Sequence, residues 1–413
     1  MTKLVQRNEW PAHDVERLPW RQAVRGGSRD DRTLDHVEAS IPPMIAGLDL
    51  QAPPSLAAAC ERTVVEIARA EHATGGLAAL GRFLMRTDSV ASSRIEYEDA
   101  SAEDFARALA GSRSNSSAQS MVAATRALAA LVDDAGTRRE ITCDAILEAH
   151  RRLLGDDPLD GRYAGRWRTM QNWIGGSDHA PRAALHVPPA PGRVEELMAD
   201  LVAYINRDDV PIVVQAAVGH AQFESIHPFT DGNGRIGRAI INAVLRRRGV
   251  TGTSVVPVAS ALLAQRERYF AFIDEYRAGR VAPFVADLAE GLRVAAEESR
   301  VSAERLIELP QLWADAVPFR ADSAGAKLID AMLDHPVFSI DEIGRVTGSG
   351  PANLAPAVVR LEDAGVIREI TGRKRDRVWF VTDVSGELDD LELRIAERIA
   401  GGSRDAASEG RDG

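Results

Sequence analysis

Apolar residues return at three- and four-residue spacing through most of residues 55–309: Leu56 to Ala70, Phe105 to Leu109, Met121 to Leu131, Ile146 to Leu154, Val194 to Ile205, Val213 to Ile226, Ile236 to Leu245 and Tyr269 to Tyr276. That period gathers each apolar set on one face of an α-helix, and such faces leave water only by packing on one another. A mainly α fold follows, a helical bundle with two or more further helices up to Pro310. Thr142 ahead of Ile146 and Ser101 ahead of Phe105 are placed as N-caps, their hydroxyls able to accept first-turn amides. The pattern breaks between Gly161 and Pro191, where Tyr163, Trp167, Trp173 and Ile174 mix with Gly175, Gly176 and a Val187–Pro189 run. This stretch predicts a β-hairpin or extended flap.

The ends differ from the bundle. Residues 1–54 are rich in Pro, Gly and charge and carry scattered aromatics such as Trp10 and Trp20, which reads as an arm wrapping a larger body. Residues 55–115 then form an N-terminal helical region and 116–310 a core. From Ala324 the pattern gives helices at Lys327–Leu333, near Ser339 and at Asn353–Ala364. A turn at Gly365 follows, then strands Val366–Ile370 and Val378–Val381 flanking a tip with Arg373, Lys374, Arg375 and Arg377. That order predicts a small winged helix-turn-helix over 324–383. Residues 384–413 are expected to be a helix and, from Gly401, a small, polar, disordered tail.

Nothing in the composition asks for a membrane or a redox scaffold. No apolar run approaches the roughly 20 residues of a membrane helix, and Lys3, Arg7 and Glu9 leave no room for a signal-peptide core, so a cytoplasmic location is expected. Cys60 and Cys143 are isolated in apolar stretches and read as core residues. With 50 basic and 61 acidic residues the net charge is −11, which weighs against wholesale nucleic-acid binding. Any DNA contact would be local to the winged module, whose third helix offers only Arg360 beside Glu362 and Asp363.

Chemistry converges on His227–Arg238. Gly232 and Gly234 let the backbone curl tightly, so that amides can approach an anion just ahead of the helix of Ile236, Ile240 and Leu245. A helix N-terminus favours phosphate, and Arg235 and Arg238, three apart, add guanidinium forks from nearly one face. Asp231 at the mouth can hold Mg²⁺ through one carboxylate while phosphates and water complete its shell. His227 supplies an imidazole, a group whose unperturbed pKa of about 6.5 suits a base that takes a proton from an attacking hydroxyl at neutral pH. The set implies nucleotidyl or phosphoryl transfer.

His227-Pro228-Phe229-Thr230-Asp231-Gly232-Asn233-Gly234-Arg235-Ile236-Gly237-Arg238 resembles the complete signature of the Fic family. The resemblance implies the Fido helical bundle and transfer of AMP from ATP to Ser, Thr or Tyr hydroxyls of a protein, including a copy of the chain itself. It also implies roles by position: His227 the general base, Asp231 the Mg²⁺ ligand, Gly232, Asn233 and Gly234 the binders of the α- and β-phosphates, Arg235 and Arg238 the phosphate clamps. Phe229 would be a buried anchor. The run Gly165–Gly176 resembles the family's flap, which docks a target segment by strand addition, with Trp173, Ile174 and Gly175 bordering the nucleotide. Tyr269 falls where relatives place an aromatic near the nucleotide; a core tyrosine is the competing reading.

Ser92-Ser93-Arg94-Ile95-Glu96 resembles the family's inhibitory motif, with Ser92 and Glu96 four apart on one helix face. By that resemblance Glu96 pairs with Arg238 where the γ-phosphate belongs and holds the enzyme slow. Tyr97 stands where relatives commonly have Gly or Asn. Two other functions stay open: a DNA-binding regulator whose core senses nucleotide, and removal of AMP or phosphoryl transfer from the same cradle. The unaltered Gly-Asn-Gly loop weighs against phosphoryl transfer within the family. A homodimer is the other partner state left open.

Overall fold

The computed structural model describes residues 10–22, 26–73, 78–111 and 115–409. Lys3, Arg7, Glu9 and Arg25 lie outside them. The order is strand Asp14–Pro19, short helix Arg29–Thr33 and strand His36–Ile41, then helices Pro54–Ala73, Ala78–Ile95, Ala102–Leu109, Ser116–Arg138 and Cys143–Leu154. After an irregular stretch come helices Val194–Ile205, Ile212–Ile226, Asn233–Arg247, Val258–Ala264, Arg266–Arg277 and Ala282–Ala316. The fold is mainly helical, and Thr142 and Ser101 cap their helices through side-chain oxygens that accept from Ala145 and Asp104 amides. The chain divides into two compact units: Met1–Val64 with Arg126–Val250 and Arg266–Glu290, and Val65–Thr125 with Thr251–Gln265 and Gly291–Gly413.

In the first unit, Ile212–Ile226 is the central helix. Fourteen of its residues, Val213 to Ile226, are buried, so it has no polar face to turn outward. Two glycine contacts let its neighbours approach. A Cβ on Gly219 would lie 2.6 Å from Ile205 Cγ2, and one on Gly237 would lie 2.3 Å from Glu224 Oε1 and 3.0 Å from Phe223 Cδ1. Helices Val194–Ile205 and Asn233–Arg247 therefore pack closer to it than an alanine would allow. Its two buried glutamines are partnered: Gln215 donates to the Tyr204 and Arg207 carbonyls, and Tyr276 donates to Gln222.

The arm is more regular than its composition suggests. Asp14–Pro19 pairs antiparallel with His36–Ile41, Asp14 opposite Ile41 and Pro19 opposite His36. Only alternate residues of the second strand face the core, Val37, Ala39 and Ile41, a signal diluted by the charged residues between them. Conversely, the predicted flap hairpin is reduced to a 3₁₀ turn at Gly161–Tyr163 and one isolated bridge, Ile174 to His186. Pro181, Pro188, Pro189 and Pro191 supply no amide donors, so a longer ladder cannot form.

In the second unit, helix Ala78–Ile95 lies against Val258–Ala264. Gly81 would put a Cβ 2.6 Å from the Thr253 carbonyl, and Asp88 accepts the Ala259 amide at 2.8 Å. Helices Ala324–Met332, Ile340–Thr347 and Pro351–Asp363, with strand Val337–Ser339 between the first two, accompany a three-stranded antiparallel sheet whose order is Val337–Ser339, Val378–Val381, Ile367–Glu369. Leu328, Met332, Phe338, Ile343, Leu354, Leu361 and Trp379 are buried there.

Two expectations change. Helix Ala282–Ala316 continues through Pro310, because the ring removes one intrahelical bond while Trp313, 2% exposed and donating to Asp383, anchors the next turn. The final helix, Thr382–Glu409, runs on where disorder was predicted from Gly401. Extending an existing helix into Ala406, Ala407 and Glu409 needs no new nucleus. Residues 410–413 lie outside the description.

Candidate functional site

The central helix ends at Ile226, and His227 is its C-cap in the left-handed region, φ 49° and ψ 60°. A histidine seldom adopts that conformation, so the surroundings must hold it there. The chain then passes Pro228 to Asp231, turns at Gly232 with φ 78° and enters helix Asn233–Arg247. A side chain at Gly232 would collide with Leu153, its Cβ 2.7 Å from Cδ2. The turn therefore requires glycine twice over.

Four side chains fasten this loop. Phe229 is fully buried, its ring stacked on His150 with centroids 3.7 Å apart and planes 3° from parallel, and on Trp167 at 5.1 Å. Asn233 accepts the Phe229 amide at 2.8 Å and donates to its carbonyl at 2.9 Å, while Asn172 donates to the same carbonyl at 2.8 Å. Asn233 thus spends its side chain closing the loop, and only its backbone faces the turn. His150 bridges two segments: its Nδ1 accepts the Gly165 amide at 2.9 Å and its Nε2 lies 3.1 Å from the Asp231 carbonyl. The first contact leaves the proton on Nε2, which donates to Asp231. Burial drives the His150 pKa down to about 4, so the ring is neutral and in that tautomer at physiological pH.

Arg168 is the main organiser of the His227 backbone. Only 3% exposed, it donates through Nε to the His227 carbonyl at 2.9 Å, through Nη1 to Met170 at 3.2 Å, and through Nη2 to Pro189 at 2.5 Å and Ile226 at 3.4 Å. Its own amide donates to the Pro228 carbonyl at 2.9 Å. Burial lowers its pKa to about 10, which still leaves the guanidinium charged at neutral pH. Neither Arg168 nor His150 was singled out from sequence. The signals were the Gly165-Arg-Trp-Arg run and a histidine on the apolar face of Cys143–Leu154, both of which read equally well as structural.

The mouth of the site is polar. Helix Asn233–Arg247 points its N-terminus at it, and first-turn amides have no acceptor within their own helix. The Asp231 side chain is 52% exposed and its Oδ2 lies 3.1 Å from Arg235 Nη2. Arg235 is 8% exposed and Arg238, one turn deeper, 1%. Burial in this low-dielectric wall strengthens their pull on an anion.

Other candidates lie further out. Ile174 exchanges backbone bonds with His186 and Leu185, and Gly175 turns with φ 71°. Trp173 donates to the Ser177 carbonyl at 2.8 Å and packs edge-on against Trp20. Tyr269 is 1% exposed, stacks on His220, and shares a 2.9 Å hydrogen bond between its hydroxyl and His220 Nε2. Burial drives the His220 pKa to about 3, so this ring too is neutral. Ser92 and Glu96 belong to the second unit. Ser92 is buried near the end of helix Ala78–Ile95, and Glu96 follows in the closing turn, its amide donating to Ser93 at 3.0 Å. Tyr97 comes next with φ 63° and is 81% exposed.

Residues 140–245, which hold this loop and the packing around it, match the Fic/DOC family. This segment is similar to Fic domains. Over 155 residues the chain is 35% identical to a protein adenylyltransferase Fic of Drosophila erecta, covering 37% of this chain and 28% of the relative. Over 188 residues it is 32% identical to protein adenylyltransferase fic-1 of Caenorhabditis elegans, covering 45% and 32%. The chain thus spans about a third or less of the length of these relatives. A Fic family protein from Desulfovibrio desulfuricans shares the fold with a TM-score of 0.51 at 23% identity, over 78% of this chain and 96% of that one. No helix among the described residues is long and apolar enough to cross a membrane.

Proposed function

We propose that the Fic domain transfers AMP from ATP to a hydroxyl of Ser, Thr or Tyr on a protein. The observation that carries this reading is the loop itself. An imidazole held in a left-handed C-cap lies five residues from a glycine turn that opens a helix N-terminus flanked by Asp231, Arg235 and Arg238. Similarity to proteins named adenylyltransferases over the same domain supports it.

In this reading His227 accepts the proton of the target hydroxyl as its oxygen attacks the α-phosphorus. The bond from that phosphorus to the bridging oxygen of the β-phosphate breaks, and pyrophosphate leaves against Arg235 and Arg238. The helix amides and both guanidiniums stabilise charge that builds on the departing phosphates. Among the described residues no three His, Cys, Asp or Glu gather into a metal cage; Mg²⁺ would be bound chiefly by substrate phosphates and one carboxylate. Asp231 would hold it, and the ion would supply charge neutralisation.

Glu96 is proposed as the brake on Arg238, on the strength of the Ser92–Glu96 motif. Trp173, Ile174 and Gly175 are proposed to border the nucleotide, with the flap docking the target. Residues 324–383 are read as a winged helix. Arg360 there donates to the Pro318 carbonyl at 2.8 Å and covers Phe319 at 4.3 Å, so its charge already serves packing, and a DNA role is not favoured.

The deciding experiment incubates the wild-type chain and Glu96→Gly with Mg²⁺ and ATP labelled at the α- or the γ-phosphate. Label from α on protein, stronger in Glu96→Gly, is expected. Protein-bound label from γ would replace the reading with a kinase, and no transfer of either would return the nucleotide-sensing alternative.

A further inference from the structure

The N-terminal arm holds the flap at several points. Ser40 donates its amide to the Val187 carbonyl at 2.8 Å, where the flap returns to the body. Val37, Ala39, Ile41 and Val187 form one buried cluster. Against it pack Leu18, Trp20, Trp173 and Ala184. Trp20 meets Trp173 edge-on, with centroids 5.5 Å apart and planes at 89°, the orientation that brings a ring edge to a π face.

At the outer end the arm reaches the flap tip. Arg182 pairs with Asp30 at 2.5 Å. Asp31 caps its own short helix, accepting from the Ser28 amide and hydroxyl, and also hydrogen-bonds the Ser177 side chain. Gly27 backs onto His179, where a Cβ would lie 2.8 Å from His179 Cβ. Besides the Ile174–His186 bridge the flap has a few turn bonds of its own, Ser177 donating its amide to the Arg182 carbonyl at 3.2 Å, Ala184 to Pro181 at 3.4 Å and the Trp173 indole to Ser177 at 2.8 Å, and so short a ladder cannot by itself hold thirteen residues in one conformation. Its conformation is therefore set largely by a segment more than 130 positions earlier in the chain.

We propose that residues 14–41 are a clamp that preorganises the flap for its protein acceptor, with Trp20 as the positioning residue. The inference rests on the reading of the flap as the acceptor-docking segment. Strand addition needs an extended edge already in place, because a flap that must first be ordered spends binding free energy on ordering itself. The acceptor should also meet an apolar surface: Leu185, beside the bridge, is 79% exposed and Met170 at the flap base is 44% exposed. An extended acceptor segment with an apolar residue near the modified hydroxyl fits that surface. The contacts that place Trp20 are with Trp173 and the Val37–Val187 cluster, so loosening it should cost acceptor affinity ahead of chemistry.

The test uses the full chain with Trp20→Ala and Trp20→Phe, each with and without Glu96→Gly. Backbone hydrogen exchange over residues 173–187 should be about tenfold faster in Trp20→Ala, with residues 212–226 unchanged, and Trp20→Phe should recover most of the protection. With the His227→Ala chain as the acceptor and ATP as donor, the acceptor KM should rise about fivefold or more, the KM for ATP changing by less than about twofold. Unchanged exchange at the flap overturns the clamp. Faster exchange with an unchanged acceptor KM, or with a loss confined to kcat, overturns the positioning role. If no variant transfers AMP at all, the functional reading fails, and the exchange data still decide whether the arm holds the flap.

Discussion

Replacing Arg168 by lysine keeps the charge and removes the fork, which isolates what the guanidinium does. Arg168 serves four carbonyls, those of His227, Met170, Pro189 and Ile226, and three nitrogens in a fixed plane are needed to reach them. One ammonium can satisfy one or two. Each lost charge-assisted bond to a buried carbonyl costs about 1.5–3 kcal/mol, and water can rescue the Met170 carbonyl, whose residue is 44% exposed. The expected loss of stability is therefore about 2–4 kcal/mol. Because one orphaned carbonyl belongs to His227 itself, in a left-handed conformation that relaxes when released, part of that loss should appear in the chemical step. About 3 kcal/mol of misplacement corresponds to a roughly hundredfold fall in kcat. The assay is AMP transfer from saturating α-labelled ATP in the Glu96→Gly background, beside urea denaturation of the same samples. An Arg168→Lys variant with kcat within about threefold of its parent would refute the claim that this fork positions the base; a stability loss without a kcat loss would confine Arg168 to folding.

His227→Ala should lose about 10²–10⁴-fold in transfer rate with ATP affinity by calorimetry retained; unchanged turnover would mean that another group takes the proton. Gly237→Ala puts a methyl 2.3 Å from Glu224 Oε1, so the two central helices must part at a cost of about 1–3 kcal/mol; an unshifted urea midpoint would show that Glu224 can swing aside freely. His150 is neutral in the folded state, with a pKa of about 4 against 6.5 when unfolded, so its contribution is complete above pH 6.5, falls as pH drops from 6.5 to 4, and changes no further below. That group accounts for up to about 3 kcal/mol across the window, so His150→Gln should flatten the dependence of the urea midpoint on pH between about 7 and 4.5. An identical slope in the variant would argue that His150 is hydrated.

Much of the helical body was legible because its signal is local. Periodic apolar faces place the helices to within a few residues, and Thr142 and Ser101 mark two starts through chemistry that operates over three positions. The His227–Arg238 loop was legible for the same reason. Its glycines, carboxylate, arginines and imidazole lie within twelve consecutive residues, so their proximity is covalent before it is tertiary.

What the chain alone could not reveal depends on contacts between distant segments. The strands at Asp14–Pro19 and His36–Ile41 carry little β signal, and they form where Val187 and Trp173 offer an apolar surface to cover. Pro310 reads as a helix end until Trp313 and Asp383 meet across the second unit. Arg168 and His150 are ordinary in sequence, an arginine in a loop and a histidine on an apolar face. Only folding brings the guanidinium to the His227 carbonyl and the imidazole between Gly165 and Asp231. The sequence by itself determined which groups are present in the loop, because that is a matter of composition over one turn. The tertiary structure decided how they are held, because buried carbonyls accept whichever donors the packed chain delivers to them.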